Sequence, residues 1–421
     1  MAASSLTLLA NSLKTSYHEG YWEAMQNAQT PILSELEECP NQPIYGVGWN
    51  FPFHLQSPQN WKLNAEGGAM GTVRQRTEVQ GTVNACEFLG WFHVTEMLRN
   101  AGKGSGAFGN EIDRHTTETM DDITMGMQRM FTISHGTGRL AVVETDTGSG
   151  AVNTFRAAKN EGVVALMEGD YIEFYDADSG GAQQGTTARK ITAINMATRD
   201  VTFDGAAITF TAGWGVYKEG SYGQLVNGIR GLNDDASYGG SIHGQSRSTY
   251  PQLCCQNIDL EGNALDEDTM RRLCDSVLRV GGSPDRIITN LGGINAYLTI
   301  SDGDRRYNME RGKTAQRHLG YVDGDLLFSY HKGNIPFKYN TNLPGGEMNF
   351  VTWKRFMKFT NRKLGWLDGG SAGILHLMPG STGYSTSWVA MVCAQVNIGN
   401  TAPRWGGRIE NFRDGSINGD K

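Results

Sequence analysis

Glycine is the residue that most constrains this chain. It contributes 55 of 421 residues, while proline contributes only 11. Average glycine usage is about 7%, so this chain carries nearly twice that share. The glycines keep no three-residue period, which excludes collagen, and the scarce proline excludes a proline-rich linker. What remains is a chain of many turns, hairpins and close backbone approaches, all-β or α+β. At about 150 residues per domain the length allows two or three domains. With 39% hydrophobic and 10% aromatic residues, a substantial core can form.

Charge narrows the range of partners. The formal net charge is -7, so the surface as a whole does not attract nucleic acid. Two basic groups stand out: Arg305, Arg306, Arg311, Lys313 and Arg317, then Lys354, Arg355, Lys358, Arg362 and Lys363. Both read as solvated or subunit-facing strips. The six cysteines (Cys39, Cys86, Cys254, Cys255, Cys274 and Cys393) show no CxxC spacing, and no histidine pair lies nearby at zinc spacing. They are expected to be free thiols, mostly buried, in a protein made in a reducing cytoplasm. No apolar run approaches the roughly eighteen residues of a membrane span. The apolar start of the chain has no basic residues before it, so no signal peptide is expected.

The hydrophobic pattern predicts a helical arm over 5–38, with Leu6, Leu9, Leu13 and Tyr17 on one stripe. Trp49, Phe51 and Phe53 alternate as in a short strand. Residues 60–98 read as a long hairpin or extended loop, with Val73–Glu78 and Gln80–Val94 flanking a glycine-rich tip at Glu66–Gly71. A long helix is predicted from Asn110 to about Thr132. Short strands follow at Asp170–Tyr175, Ala188–Asn195, Asp200–Phe203 and Ile208–Thr211, spaced as in a small barrel or sandwich. A helix over 263–280, capped by Asn263 or Asp266 and ended by Gly281, precedes a strand at Arg286–Thr289 and a helix near Gly293–Ile300. Strands at 335–353 and 387–398 complete the pattern, the latter apolar enough to be central.

Glycine also generates enzyme signatures by chance. Gly104-Ser-Gly106-Ala-Phe-Gly109 fits a dinucleotide loop but lies outside any βαβ unit. Asp146-Thr147-Gly148 fits an aspartic protease, which needs a second such carboxylate, and the chain supplies none. Ser371 sits in a GxSxG setting, but His376, the only later histidine, is too close in sequence to complete a triad. Asp302-Gly-Asp304 and Asp323-Gly-Asp325 read as surface turns, not calcium loops. No catalytic, cofactor or metal site is expected.

The order of elements is informative where single motifs are not. It runs helical arm, β-excursion, long helix, β insertion, mixed domain and closing apolar strand. With the segments Leu225-Val-Asn-Gly-Ile-Arg-Gly-Leu-Asn-Asp-Asp-Ala-Ser-Tyr-Gly-Gly, Ser246-Arg-Ser-Thr-Tyr-Pro-Gln, Asp285-Arg-Ile-Ile-Thr-Asn and Ile335-Pro-Phe-Lys-Tyr-Asn, the chain resembles the major capsid proteins of tailed bacteriophages, of the Hong Kong 97 shell type. The resemblance implies an N-terminal arm at 1–45 and an E-loop region at 46–109. It implies a spine helix with peripheral domain at 110–159 and a β-barrel insertion at 160–224. An axial domain at 225–385 and a peripheral return strand with tail at 386–421 complete the division.

It further implies a structural protein, not an enzyme. Such a subunit assembles with itself as hexamers and pentamers in the host cytoplasm and ends in the virion. It works with scaffolding, portal and decoration proteins, and it touches packaged double-stranded DNA weakly. Candidate inter-subunit contacts are Trp61, Lys62, Arg74, Arg76 and the strip Arg305, Arg306, Arg311, Lys313 and Arg317. One family member crosslinks through Lys and Asn; Lys62 lies in the corresponding region, but no Asn and Glu partners are evident and that chemistry is not carried over. Two other readings compete: an encapsulin-like cargo shell, and a hydrolase using Asp146 or Ser371.

Overall fold

The computed structural model describes residues 36–38, 48–64, 66–96, 109–144, 150–159, 162–177, 180–304, 321–322, 325–330, 333–367, 375–380 and 383–413. The chain divides into two compact units. One comprises residues 1–29, 85–128 and 360–396, and the other residues 30–84, 129–359 and 397–421.

In the first unit the long strand Gly383–Asn400 pairs antiparallel with Leu375–Gly380 and with Cys86–Thr95. It is therefore central, as its apolar run predicts; Ala390, Val392, Ala394 and Val396 are buried. Phe92, Val94 and Ala390 form a small core, with Trp366 and Trp388 packed against it. Helix α1, Gly109–Ile133, approaches this sheet at Gly90. A β-carbon there would lie 3.3 Å from Thr119 Cγ2. The residues of α1 from Arg129 onward belong to the second unit.

The second unit holds a β-barrel and a larger sheet. The barrel order is Arg139–Val142, Gly215–Lys218, Tyr171–Tyr175, Gln183–Asn195, Asp200–Phe203, Thr154–Arg156. Its first and last strands meet through the Val143–Ala157 bridge and a 2.7 Å bond from Ala158 N to Val142 O, which closes the circle. Phe155, Phe174 and Phe203 fill it, with ring centroids 5.3–6.5 Å apart. Closure removes the sheet edges that would otherwise invite aggregation.

The larger sheet has seven described strands in the order Gln256–Asp259, Gly407–Glu410, Met348–Val351, Arg286–Thr289, Gly333–Tyr339, Asp325–Tyr330, Tyr321–Val322. Two helices, α2 (Glu267–Arg279) and α3 (Leu291–Asp304), contribute Met270, Leu273, Cys274 and Tyr297 to one core with Ile287, Phe337, Met348, Phe350 and Ile409. Strand alternation sends Glu347, Asn349, Arg408 and Glu410 to the other face. One face of this sheet is thus apolar and the other ionic.

Several expectations need correction. The helical reading of 5–38 fails at its end, because Glu37–Glu38 is a strand paired parallel with Met357 and Lys358; tertiary pairing overrides the helical period. The rest of that arm lies outside the described residues. The long hairpin joins Gly48–Gln56 to Thr77–Asn84, with Trp49 opposite Val83 and Phe51 opposite Gly81. Cys86–Thr95 is not part of it and pairs instead with the central strand. Ile208–Thr211 is not a strand: Ile208 makes a single bridge to Val152, and Phe210 packs on the barrel phenylalanines. The barrel closes through Gly215–Lys218 instead. Asp302 and Asp304 belong to α3 and not to a turn.

Gly228 caps, and Gly231 lies within, one helical turn, Ile229–Leu232. A β-carbon on Gly228 would sit 2.7 Å from Ser134 N, and one on Gly231 would sit 2.7 Å from Ser134 O. Those neighbours are backbone and cannot swing aside. Gly231→Ala is therefore expected to destabilise the chain by about 1–3 kcal/mol through overpacking, read as a lower urea midpoint at unchanged slope.

Candidate functional site: an exposed loop and its ionic anchor

The hairpin Gly48–Gln56/Thr77–Asn84 carries at its far end the connection 57–76. This loop is ordered by its own polar groups. Asn60 exchanges two bonds with the Arg74 backbone: Nδ2 to O at 2.9 Å, and Arg74 N to Oδ1 at 2.7 Å. Lys62 Nζ donates to Ala69 O, and Asn64 Nδ2 donates to Gly68 O at 2.6 Å. The loop nevertheless presents large apolar side chains to water: Trp61 is 78% exposed, Leu63 94%, Met70 96% and Val73 81%. Four large apolar side chains so exposed within one short loop make it a candidate interaction surface.

Of the sequence candidates, Trp61, Lys62, Arg74 and Arg76 thus gather on one loop. Lys62 is bound to its own loop's backbone, and Arg76 Nε lies 3.1 Å from Glu78. Arg305, Arg306, Arg311, Lys313 and Arg317 lie outside the described residues, as do Asp146 and Ser371. Leu63, Met70 and Val73 were missed; isolated apolar residues in a polar, glycine-rich stretch carry no periodic signal.

The base of the hairpin is fixed by aromatic contacts. Trp49 packs on Phe359 at 5.1 Å, while Phe51 and Phe53 meet the His243 ring at 5.2 and 5.9 Å. His243 sits in a tight turn at positive φ (51°), followed by Gly244 (79°). Its carbonyl accepts from Thr82 N at 2.9 Å, and Gln245 Nε2 donates to Gln80 O at 2.7 Å. His243 Nε2 accepts from Asn400 N at 3.2 Å, which leaves the proton on Nδ1. Burial, assisted by the Arg247 charge, pushes the imidazole pKa down to about 3.

Four residues beyond His243, Arg247 enters a fully buried ionic network. Asp234 accepts from Arg408 Nη1 at 2.9 Å and from Arg247 Nη1 at 3.3 Å. It also accepts from the backbone N–H groups of Tyr238 and Gly239, at 3.2 and 2.8 Å. Arg230 Nε donates to Glu347 at 2.6 Å, and Arg408 Nη2 bonds Glu410. Three arginines thus face three carboxylates. Burial opposes the Glu347 charge, yet Arg230 and Arg408 hold its pKa below the usual range. Burial raises Glu410. Tyr238 lies beneath Arg230, 3.8 Å from guanidinium carbon to ring centre. The asparagines join in: Asn233 Nδ2 donates to Asn349 Oδ1 at 2.9 Å and to Gly407 O at 2.8 Å.

A polar cavity of about 260 Å³ opens beside the network, walled by Arg230, Tyr238, Glu347, Arg408, Glu410 and others. Ser237 in its wall donates its hydroxyl to Asp234 at 3.2 Å. The wall contains the ion pairs Arg230–Glu347 and Arg408–Glu410. Among the described residues no group of three His, Cys, Asp or Glu could hold a metal ion, and no helix is long and apolar enough to cross a membrane. The described cysteines are free; burial pushes Cys86 and Cys274 up to about 12, which suits inert thiols.

Removing one member of the network should be costly. Asp234→Asn leaves Arg247 and Arg408 short of a counter-charge, and a loss of about 3–5 kcal/mol is expected from chemical denaturation. Acid should act in the same direction. His243 is neutral when folded, whereas the unfolded chain takes up a proton near pH 6.5, so stability falls as pH drops from there toward 3. Glu347, with its lowered pKa, adds a loss of the same sign at the acid end. Between pH 7 and 4.5 the histidine share is about 2.5 kcal/mol. In His243→Gln the fall in urea midpoint over that range should shrink accordingly.

No protein-family model and no curated protein matches the sequence. Solved structures do. The Cyanophage A-1(L) capsid asymmetric unit is 11% identical, with TM-score 0.58, and the alignment covers 97% of this chain and 99% of that one. The capsid of a native GTA particle is 8% identical, with TM-score 0.47 over 97% and 99%. A structure from Mycobacterium phage Bobi is 13% identical, with TM-score 0.45 over 99% and 100%. From end to end, this chain has the α+β fold of the cyanophage A-1(L) capsid chain.

Proposed function

We propose that the chain is the major capsid protein of a tailed bacteriophage, a structural subunit that builds an icosahedral shell around double-stranded DNA. The observation that carries this reading is the end-to-end likeness in fold to a capsid chain, over 97% of this chain and 99% of that one. The loop 57–76 supports it: four large apolar side chains more than three-quarters exposed suit a subunit whose surface is completed by its neighbours. In this reading residues 46–109 reach toward an adjacent subunit, residues 1–45 form an arm, the barrel is the insertion domain and 225–385 the axial domain. The subunits form hexamers and pentamers in the host cytoplasm, with scaffolding, portal and decoration proteins as partners, and end in the virion. The work is mechanical and requires no catalysis.

Electron microscopy of the purified chain, alone and with its scaffolding protein, is expected to show closed shells. Small discrete oligomers across salt and protein concentration would overturn the reading. The loop gives a sharper test. Replacing Trp61, Leu63, Met70 and Val73 together by Ser should leave the unfolding midpoint of the unassembled subunit nearly unchanged, each site within about 0.5 kcal/mol. Shell formation should be lost.

A further inference from the structure

The fold regroups the second basic strip seen in the sequence. Arg362 and Lys363 lie in the first unit, while Lys354 and Arg355 lie in the second. There Lys354 and Arg355 meet cations from three other stretches of chain. Trp353–Arg355 and Pro403–Trp405 are two short 3-10 turns. Thr352 Oγ1 ties them together, 3.0 Å from Trp405 O and 3.2 Å from Ser283 O. The end of α2 abuts the same place: a β-carbon on Gly282 would lie 2.9 Å from Trp405 Cα. Arg279, Arg286, Lys354, Arg355 and Arg404 therefore converge.

Two of these arginines lie over indole rings. The guanidinium carbon of Arg286 lies 4.7 Å from the Trp353 ring centre, and that of Arg355 lies 4.4 Å from Trp405. Arg279, Lys354, Arg355 and Arg404 are exposed and form no ion pair with any described residue. Their neighbours on α2 behave differently: Arg271 and Arg272 pair with Glu267 and Asp268 at 2.6 and 2.7 Å. The acid within the patch, Asp285, accepts from Trp353 N at 2.8 Å. Arg279 alone would be explained as a cation at a helix C-terminus. Lys354, Arg355 and Arg404 lie on single 3-10 turns of three residues, whose dipole is far smaller than that of α2.

A guanidinium over an indole ring is pre-oriented and presents a fork of N–H donors that matches phosphate oxygens. In a chain of net charge -7, five cations around a single acid, Asp285, whose charge acts on Arg286 and Lys354, make a local positive excess with a specific use. We infer that this patch is the surface on which the chain meets the phosphodiester backbone of duplex DNA, without reading sequence. The inference rests on the shell reading above, because duplex DNA is the polyanion such a shell encloses. Contacts of this kind bind weakly and depend strongly on salt, which suits a lining that must hold DNA and release it.

The test uses the purified full chain and a fluorescent duplex of about 30 base pairs, titrated at about 50 to 200 mM salt. The variant Lys354→Gln/Arg355→Gln/Arg404→Gln is expected to bind about tenfold or more weakly at low salt. Its log–log salt slope should be shallower by about 2–3, since each phosphate contact contributes about 0.9. Arg271→Gln/Arg272→Gln serves as the control and should bind like the parent. Unfolding midpoints and shell formation are measured on the same preparations. Unchanged DNA affinity in a triple variant that still forms shells overturns this inference alone. A triple variant that keeps DNA affinity but loses assembly also overturns it, and assigns the patch to an acidic surface of a second copy. Failure of the parent chain to form shells, with DNA binding by the patch intact, overturns the shell reading instead.

Discussion

Asp234 is the residue on which the second unit depends. Its carboxylate neutralises Arg247 and Arg408 and caps the turn at Tyr238 and Gly239. Through Arg408 it reaches the strand Gly407–Glu410, and Asn349 beside it belongs to the neighbouring strand Met348–Val351. Through Arg247 it reaches the turn that holds His243 against the hairpin. A buried ion network is a poor source of net stability, because desolvation opposes the Coulombic gain. What it supplies is register. An apolar filling would tolerate a strand shifted by a residue; three arginines that each need a carboxylate at hydrogen-bond distance would not. The apolar face of the same sheet, with Met270, Leu273, Phe337 and Phe350, supplies the hydrophobic stabilisation. The two faces divide the work.

This division explains what was legible in the sequence. Elements that follow a local period were readable: α1 from its spaced apolar residues, α2 within the expected 263–280 with Asp266 and not Asn263 at its N-cap, the strand Arg286–Thr289, and the central strand from its unbroken apolar run. The barrel was legible as a set of short strands, although its closing strand Gly215–Lys218 was not. That strand has only four residues, and its neighbours in space, Arg139–Val142 and Tyr171–Tyr175, lie far away in sequence. The long hairpin was misread for the same reason. Val73–Glu78 and Gln80–Val94 look like a pair in one dimension, but the alternation of Trp49, Phe51 and Phe53 already contained the true partner.

The functional residues were legible to different degrees. The segment from Leu225 to Gly240 stood out in the sequence as a pattern without a mechanism. Gly228 and Gly231 allow it to lie against Ser134, and Arg230, Asn233 and Asp234 place their polar groups in the network. The partners Glu347 and Arg408 are more than a hundred residues away, and no local rule connects them. The basic patch was half visible: the sequence groups Lys354 and Arg355 with Lys358, Arg362 and Lys363, and gives no sign of Arg279, Arg286 and Arg404. Arg286 lies over Trp353 and Arg355 over Trp405, contacts that only the fold reveals.

The loop 57–76 raises a last physical question: why a segment so exposed is held in one shape at all. Its cost in water is the display of Trp61, Leu63, Met70 and Val73. Left as a flexible tether it would lose conformational freedom each time a neighbour bound it, at about 1–2 kcal/mol per backbone residue fixed. Asn60, Lys62 and Asn64 reduce that loss by tying the loop to its own carbonyls before any partner arrives. Preorganisation of this kind raises affinity without adding contacts. The glycines at 67, 68 and 71 permit the tight reversal, and only Gly67 among them needs positive φ. The glycine excess is thus structural in two ways: it lets backbones touch at Gly228 and Gly231, and it shapes the reversal of a loop that presents Trp61, Leu63, Met70 and Val73 to water.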